Sequence, residues 1–579
     1  MNTTIEQKRH TLAHLLAASV REIYPGAKNA IGPAIDNGFY QDFELPTPIS
    51  DKDLPKIEKK MQELLKQWKS FERKEVTPTE AKKEFAWNEY KVELIEEFSK
   101  ENKQLTFYTV DGFIDLCRGG HSEKPNEEIK PDTFKLERTA GAYWRGDEKN
   151  KMLTRIYGLA FDTKEELVAY ETQLEEAKKR DHKKLGKELD LFTFSDLIGS
   201  GLPLWTPKGT LLRNLLDEYV WSLRQMKEYQ KVEIPHITKK DLYITSGHWD
   251  KFKDELFRIT TREGHEFAMK PMNCPHHTQI YARKPWSYKE LPQRYANTTT
   301  CYRDEQSGEL SGLSRVRAFA QDDAHVFCRM INVKEEFLKI WEIVNTFYGT
   351  FGFKLKVRVS KHDPLKPDKY LGDKKQWEIA EGILEGIVKE KNADYFIGVG
   401  EAAFYGPKLD FMAKDAIGRE WQVATIQLDM VQPERFDLTC VNEKGEKERI
   451  VMIHAAIMGS IERFISILIE HTAGNFPLWL SSVQVAIIPV SEKFTEGAKE
   501  IYEKLKAKDL RVSLDNSNES LGKKIRASKS EKTPYYIVVG EKEITSQKFN
   551  LENRTGEKVE GLSYEQIEEK LLEEIKNKS

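Results

Sequence analysis

The stretch from 301 to 325 reads CYRDEQSGELSGLSRVRAFAQDDAH. Two arginine-bearing apolar segments, CYR and LSRVRAFA, flank the polar loop DEQSGELSG, so a hairpin would return Arg303, Arg315 and Arg317 to one neighbourhood. Arginines gathered in this way suit a polyphosphate, because a guanidinium is permanently charged and grips two oxygens at once, where lysine offers a point charge. Gln321, Asp322, Asp323 and His325 close the stretch, an acid-and-histidine cluster beside the arginines. On spacing alone, a solvated hairpin with ordinary ion pairs accounts for the same residues. Near the N-terminus His10 and His14 stand four apart, so on a helix the two imidazoles share a face. GFIDLCRGGHSE sets Asp115, Cys117 and His121 around a Gly-Gly turn that lets the backbone bend between the last two. The His-His and Cys-His pairs together compose either a zinc site or the polar groups of a hydrolytic pocket. Cys274, in KPMNCPHH, is a thiol in a proline-bounded turn and by itself reads as structural.

The elements that must carry these groups follow from pattern. Residues 1–24 read as an amphipathic helix with Leu12, Leu15, Leu16 and Val20 near helical spacing. A turn-rich stretch, AIGPAIDNGFYQDFEL, follows, then a charged helix around 51–73 and a further helix holding Lys91. The run KEELVAYETQLEEAKKRDHKKLGKELDLF is expected to be one solvated connecting helix with a boundary near Leu189. From 190 to about 475 strand-like and helix-like segments alternate with no P-loop and no G-x-G-x-x-G fingerprint, so an enzyme using ATP here would hold its phosphates by side chains. From about 478 a strand–helix alternation suggests a small α/β domain. At 579 residues the chain implies about three or four domains. No apolar run approaches the roughly 20 residues that cross a bilayer. The N-terminus lacks a secretory pattern, and five scattered cysteines fit a reducing cytoplasm better than a disulfide framework. A net charge of −3 announces no nucleic-acid partner, although basic patches stand at 177–187 and 522–532.

The wording RVRAFAQDDAH resembles motif two of class II aminoacyl-tRNA synthetases, in the form found in threonyl-tRNA synthetases. The helix GTLLRNLLDEYVWSLRQMKEYQ with KVEIPHI, including Pro235, resembles motif one, and GSIERF resembles motif three. The resemblance implies an α+β multidomain chain: a threonyl/alanyl-type editing domain at 1–180, the end of a linking helix at 181–190, a class II antiparallel-sheet catalytic domain at 191–477, and an α/β anticodon-binding domain at 478–579. It implies a cytoplasmic homodimer with no membrane association that joins L-threonine to threonine tRNA, using ATP with Mg²⁺. Arg303 would hold the α-phosphate and Arg463 the γ-phosphate, with Glu305 at the adenine amine, Phe319 stacked on adenine, Arg315 on ATP, and Lys408 among the catalytic residues. Cys274, His325 and His454 match zinc ligands, and Met272, Gln321, Asp323, Tyr405 and Gln427 match the threonine pocket, with Asp323 accepting from the substrate hydroxyl. His10, His14, Lys91, Asp115, Cys117 and His121 match the editing pocket, where water is positioned by side chains rather than by metal. Asn518, Arg526 and Glu543 match residues that contact anticodon bases.

The chemistry behind these implications is coherent. Three protein ligands leave a zinc position open for substrate. An apolar pocket separates threonine from valine by only about 100-fold, whereas a metal that takes the amino group and the hydroxyl rejects valine. Serine carries both groups and is smaller, so it slips through and has to be removed by hydrolysis. Departures from the family pattern are CPHH where CPGH is usual (His276), RVRAF where RVRGF is usual (Ala318), and Glu552 where an arginine is usual, with Arg554 two residues on as a possible substitute. Bacterial relatives usually carry a further small domain ahead of the first one, and this chain starts almost at His10. A degenerate synthetase acting as a hydrolase or binding protein, or an RNA-binding regulator, are the rival classes.

Overall fold

A computed structural model describes residues 3–578. The chain divides into two compact units, Met1–Glu175 and Glu176–Ser579.

In the first unit, α1 (Ile5–Ile23) starts at a reciprocal cap: Thr4 accepts from the Gln7 amide and the Gln7 side chain accepts from the Thr4 amide. Its stripe of Leu12, Leu15, Leu16 and Val20 is buried with Phe39 and Phe43 of β1 (Gly38–Glu44) and with Ile57 and Met61 of α2 (Leu54–Leu65). The charged helix expected over 51–73 stops at Leu65, and Glu72–Val76 is instead a strand, β2. Pairing decides this, because β2 lies antiparallel on Leu105–Val110, and such pairing overrides the weak helical preference of ERKEV. Lys91 lies on α3 (Glu89–Lys100); β3 (Leu105–Val110) and β4 (Phe113–Leu116) complete a three-stranded sheet with β2. β5 (Phe134–Tyr143) and β6 (Met152–Ala160) join β1 in a five-stranded sheet.

The expected single connecting helix is broken. A helix over Lys164–Arg180 ends, Asp181 accepts from the Lys183 amide at 2.7 Å, and α4 (His182–Glu188) begins anew. Within residues 181–190, Leu185 and Leu189 belong to the core of the second unit. That core lies between an eight-stranded sheet and three helices, α5 (Pro207–Gln225) and the helices over Val333–Thr350 and Ile461–Thr472. The edge strand β7 (Gln230–Lys231) precedes α6 (Cys274–Ala282), β8 (Gln293–Tyr302), β9 (Ala318–Cys328), α7 (Val333–Thr350) and β10 (Leu355–Lys361). Then come β11 (Tyr395–Val399), β12 (Lys408–Lys414), β13 (Glu420–Asp429), β14 (Val451–Ser460) and α8 (Ile461–Thr472). The strand order is β7-β8-β9-β14-β13-β12-β10-β11, antiparallel except at its two ends. Alternation sorts the strands: Ala320, Ala324 and Val326, Ile453 and Ala455, and Ile426 and Leu428 enter the core, so their odd-numbered or even-numbered neighbours face the opposite side.

The C-terminal part is a five-stranded mixed sheet built from β15 (Val485–Pro489), α9 (Thr495–Lys506), β16 (Val512–Leu514), α10 (Leu521–Ser530), β17 (Tyr535–Val539), β18 (Phe549–Asn553), β19 (Lys558–Leu562) and α11 (Tyr564–Asn577). β16, β15 and β17 are parallel.

Candidate active site

The face of the large sheet opposite the helices carries the chemistry. His325 of β9 pairs in register with His454 of β14, His454 with Gln427 of β13, and Gln427 with Lys408 of β12, so four polar residues from four strands form one row. Gln321 and Asp323 lie on β9 four and two residues back from His325, on the same face. A bulge interrupts the pairing of β9 with β14 between Asp322 and Ala324, and its extra residues lie on β14, where residues 456–458 stand opposite Asp323 alone. Arg224, buried on α5, locks it: the guanidinium donates to the carbonyls of Asp323 and Ala455, each at 3.1 Å, and pairs with the Asp322 carboxylate at 2.8 Å. The other Asp322 oxygen accepts from the amides of Ile457 and Met458.

Cys274, His325 and His454 are all buried, and each brings a donor atom within 4.8 Å of the others. His325 Nε2 faces His454 Nδ1 at 3.1 Å, while their outer nitrogens meet His277 Nδ1 at 2.8 Å and Asp429 Oδ2 at 2.9 Å. Two inward nitrogens at that distance match an edge of a tetrahedral zinc sphere, about 3.3 Å for bonds of about 2.0 Å. Outer partners that orient ligating imidazoles are the usual complement of such a site. Burial holds the His325 imidazole well below its usual pKa, and so in the neutral ligand form. The donor set fits zinc.

Above it opens a cleft of about 530 Å³ whose walls include Met272, Gln321, Asp323, Tyr405, Gln427 and His454 together with Arg303, Glu305, Arg315, Phe319 and Arg463. Tyr405 stacks on His454 with ring centres 4.9 Å apart, and the Gln427 amide donates to Gly406 O at 3.0 Å. Burial pushes the Asp323 carboxyl up to about 6, against the pull of His454 and Arg224. Arg303 begins the loop between β8 and β9 and lies 5.3 Å from the Phe319 ring centre. Arg315 is paired with Glu305 at 2.7 Å and Glu309 at 3.0 Å. Arg463 sits in the first turn of α8, where Ser460 caps its amide. Burial and the neighbouring Arg315 lower its pKa, as expected of a cation kept for an anion. Arg317 turns away, donating to the backbone of Glu305 and Ser200. Lys408 does not line the cleft either; its ammonium pairs with Asp410 at 2.6 Å at the far end of the row.

Sequence profiles and relatives agree with this geometry. A profile described as tRNA synthetase class II core domain (G, H, P, S and T) matches residues 257–472, and one described as anticodon binding domain matches 484–574. The threonine–tRNA ligase of Cytophaga hutchinsonii is 50% identical over 559 residues, 95% of this chain and 85% of that protein. That of Deinococcus radiodurans is 46% identical over 582 residues, 99% of this chain and 89% of that protein. The chain belongs to the threonine–tRNA ligase family. Threonine–tRNA ligases are ATP-dependent class II synthetases, and the antiparallel core expected from the motifs is the one found. Among solved structures, the RNA-binding domain of threonyl-tRNA synthetase from Cryptosporidium parvum aligns with a TM-score of 0.65 at 37% identity, covering 68% of this chain and 98% of that one. A threonyl-tRNA synthetase from Aeropyrum pernix aligns with a TM-score of 0.62 at 28% identity, covering 69% and 97%.

The first unit of this ligase gathers all six of its sequence-derived candidates. His10 and His14 of α1 approach to 3.2 Å, and Cys117 Sγ lies 3.4 Å from both His10 Nε2 and His121 Nε2. Gly119 and Gly120 have φ of +96° and +86°, and this left-handed pair folds His121 back onto Cys117. Asp115 on β4 accepts from Lys91 at 2.6 Å and meets His14 Nδ1 at 3.1 Å. Burial opposes charge on His14, but its bonds to Asp115 and Cys117 prevail and lift its pKa to about 9. Burial likewise opposes a Cys117 thiolate, yet the surrounding imidazoles of His10, His121 and His14 bring it down to about 3. Burial lowers the pKa of His121. The donor atoms of His10, His14, Cys117 and His121 lie within 4.8 Å of one another, a spacing that also accommodates a metal ion.

In the C-terminal part, Asn518 is exposed in the loop after β16, Arg526 is exposed on α10, and Glu543 follows β17 and bonds the Gly540 amide. The loops after parallel strands are where open α/β sheets bind ligands. Arg554 does not replace the missing arginine: it is turned inward onto the carbonyls of Phe476 and Lys532, while Glu552 bonds the Tyr536 hydroxyl. His276 is buried against Thr238, and Ala318 opens β9 opposite Tyr302. Arg224, Asp429 and His277 escaped the sequence reading. A signal existed for two of them. Arg224 continues the stripe Leu212, Leu216, Val220 at steps of four, a charge on a core face, and Asp429 follows Gln427 at strand period.

Proposed function

We propose that the large cleft activates L-threonine with ATP and transfers it to threonine tRNA, and that the first unit hydrolyses tRNA mischarged with serine. The convergence of the His325–His454–Gln427 row with Arg303, Arg315 and Arg463 in one cleft carries this reading. Arg303 and Arg463 would both hold the triphosphate, and Phe319 would offer a face to the adenine. The threonine carboxylate is already an anion, so attack on the α-phosphorus needs no general base; the arginines neutralise charge on the phosphate oxygens as pyrophosphate departs, with Mg²⁺ accompanying ATP. Cys274, His325 and His454 would hold a zinc ion, which when bound would supply a Lewis acid with an open position for the polar groups of threonine, one of which valine lacks. Asp323 would accept from the threonine hydroxyl, with Met272, Gln321 and Tyr405 shaping the space around it.

In the first unit, His121 is the group kept neutral by burial and able to take a proton from water, while charged His14 faces the developing oxyanion. The Cys117 sulfur already receives His10, His121 and the Gly119 amide, which favours a metal-free pocket. Asn518, Arg526 and Glu543 would read anticodon bases. The exposed Pro235 after the motif-one helix fits a homodimer, and no helix among the described residues is long and apolar enough to cross a membrane, in keeping with work in the cytoplasm.

Amino-acid-dependent ATP–pyrophosphate exchange tests the first half. Exchange with threonine, less with serine and none with valine, lost on metal removal, is the expected result. Deacylation of seryl-tRNA that persists under the same chelation is the expected result for the second half. Exchange with valine, or none with threonine in metal-replete protein, would overturn the assignment.

A further inference from the structure

Behind the wall of the cleft lies a lysine that no step above uses. Lys270 is fully buried, and its backbone is fastened on both sides, its amide to His236 O and its carbonyl to the Tyr302 amide. Its ammonium meets two neutral acceptors, Asn273 Oδ1 and Thr299 Oγ1, each at 2.9 Å. A buried charge is costly to maintain, and one placed against an amide and a hydroxyl calls for an explanation.

The partner supplies it. Asn273 is fully buried at the start of α6, and its Nδ2 donates to Asp323 Oδ2 at 3.2 Å. An asparagine amide can be turned either way, and its direction is set by its partners. Here an ammonium, which only donates, and the Cys301 thiol at 3.5 Å both point at one end of the amide. A turned amide would set NH₂ against NH₃⁺ and would leave Asp323 facing a second oxygen. Lys270 therefore fixes which end of Asn273 reaches Asp323. Asn273 in turn occupies one carboxylate oxygen, while the other, Oδ1, stands 3.8 Å from His325 Nε2.

We propose that Lys270 and Asn273 are positioning residues for amino-acid selection: together they hold the Asp323 carboxylate in the one orientation that leaves a single oxygen for the substrate hydroxyl. This rests on the reading of Asp323 as the hydroxyl acceptor. Neither residue lines the cleft, so both act through Asp323.

The test is pyrophosphate exchange by the full chain with threonine, serine and valine, each variant compared at equal bound metal. Asn273→Ala is expected to raise the KM for threonine about tenfold, with the KM for ATP unchanged, and to narrow the preference for threonine over valine. Lys270→Met should do the same, Lys270→Arg should restore much of the preference, and the double variant should be no worse than Asn273→Ala, because the two residues work in series. Additive losses, or losses shared equally by the KM for ATP, would overturn the relay. Asp323→Asn separates the two ideas: if it leaves the KM for threonine unchanged, the reading of Asp323 fails, whereas if it raises that KM and Asn273→Ala does not, the relay alone fails. Should Lys270→Met not fold, the Asn273→Ala and Lys270→Arg arms decide.

Discussion

His14, Asp115 and Lys91 show how much a single ionisation can control in the first unit. His14 is raised to about 9, above its unfolded value of about 6.5, so the stability it contributes is full below about 6.5 and is lost as the pH rises through about 9. Asp115 runs the other way: Lys91 and His14 depress it against burial, so its contribution is present above about 3.9 and is lost as the pH falls. Deacylation of seryl-tRNA is accordingly expected to decline above pH 9, measured as initial rates at short times after subtracting spontaneous ester hydrolysis. Cys117→Ala should abolish that hydrolysis and leave threonine-dependent exchange untouched. On the other unit, Asp429→Asn weakens the grip on His454, and chelator competition should report metal affinity lower by about 10- to 100-fold.

At the level of elements, the bulge where β14 meets β9 is the feature to break. Arg224→Met strips the only cation paired with Asp322 among the described residues and leaves a buried carboxylate, which should cost about 3–5 kcal/mol, read as a shift of the urea midpoint of the second unit. The α1 helix and the hairpin that returns Arg303 and Arg315 to one neighbourhood were legible in the sequence, because local pattern dictates them. Three things were not. Glu72–Val76 became a strand through pairing with a segment far along the chain. The connecting run broke at Asp181, whose capping carboxylate competes with continuation of the helix. Asn273 and Lys270 look ordinary in KPMNCPHH, since their meaning depends on Asp323, Cys301 and Thr299 arriving from other strands. The candidate ligands themselves were reached through family resemblance, as positions 274, 325 and 454 share no local spacing.

Across the molecule, each unit has its own core: Leu12, Phe39 and Ile156 are joined in one, and Leu216, Phe337 and Ile453 in the other. Stability and chemistry are thus separable between them. A destabilising change such as Phe39→Ala, expected to cost about 3–5 kcal/mol in the first unit, should erase deacylation in thermal titrations before threonine-dependent exchange is affected. Among the strands of the large sheet, however, no such separation exists. The row of His325, His454 and Gln427 and the apolar layer behind it alternate along the same backbones. Loss of one residue from β9 would turn Ala324 and Val326 toward substrate and drive Asp323 and His325 into oil. Reading frame, in the sense of strand register, is therefore a hereditary constraint on this enzyme as strict as the identity of its ligands: the sheet accepts replacements one at a time, but it takes up an added letter only where a bulge, as on β14, absorbs the slip.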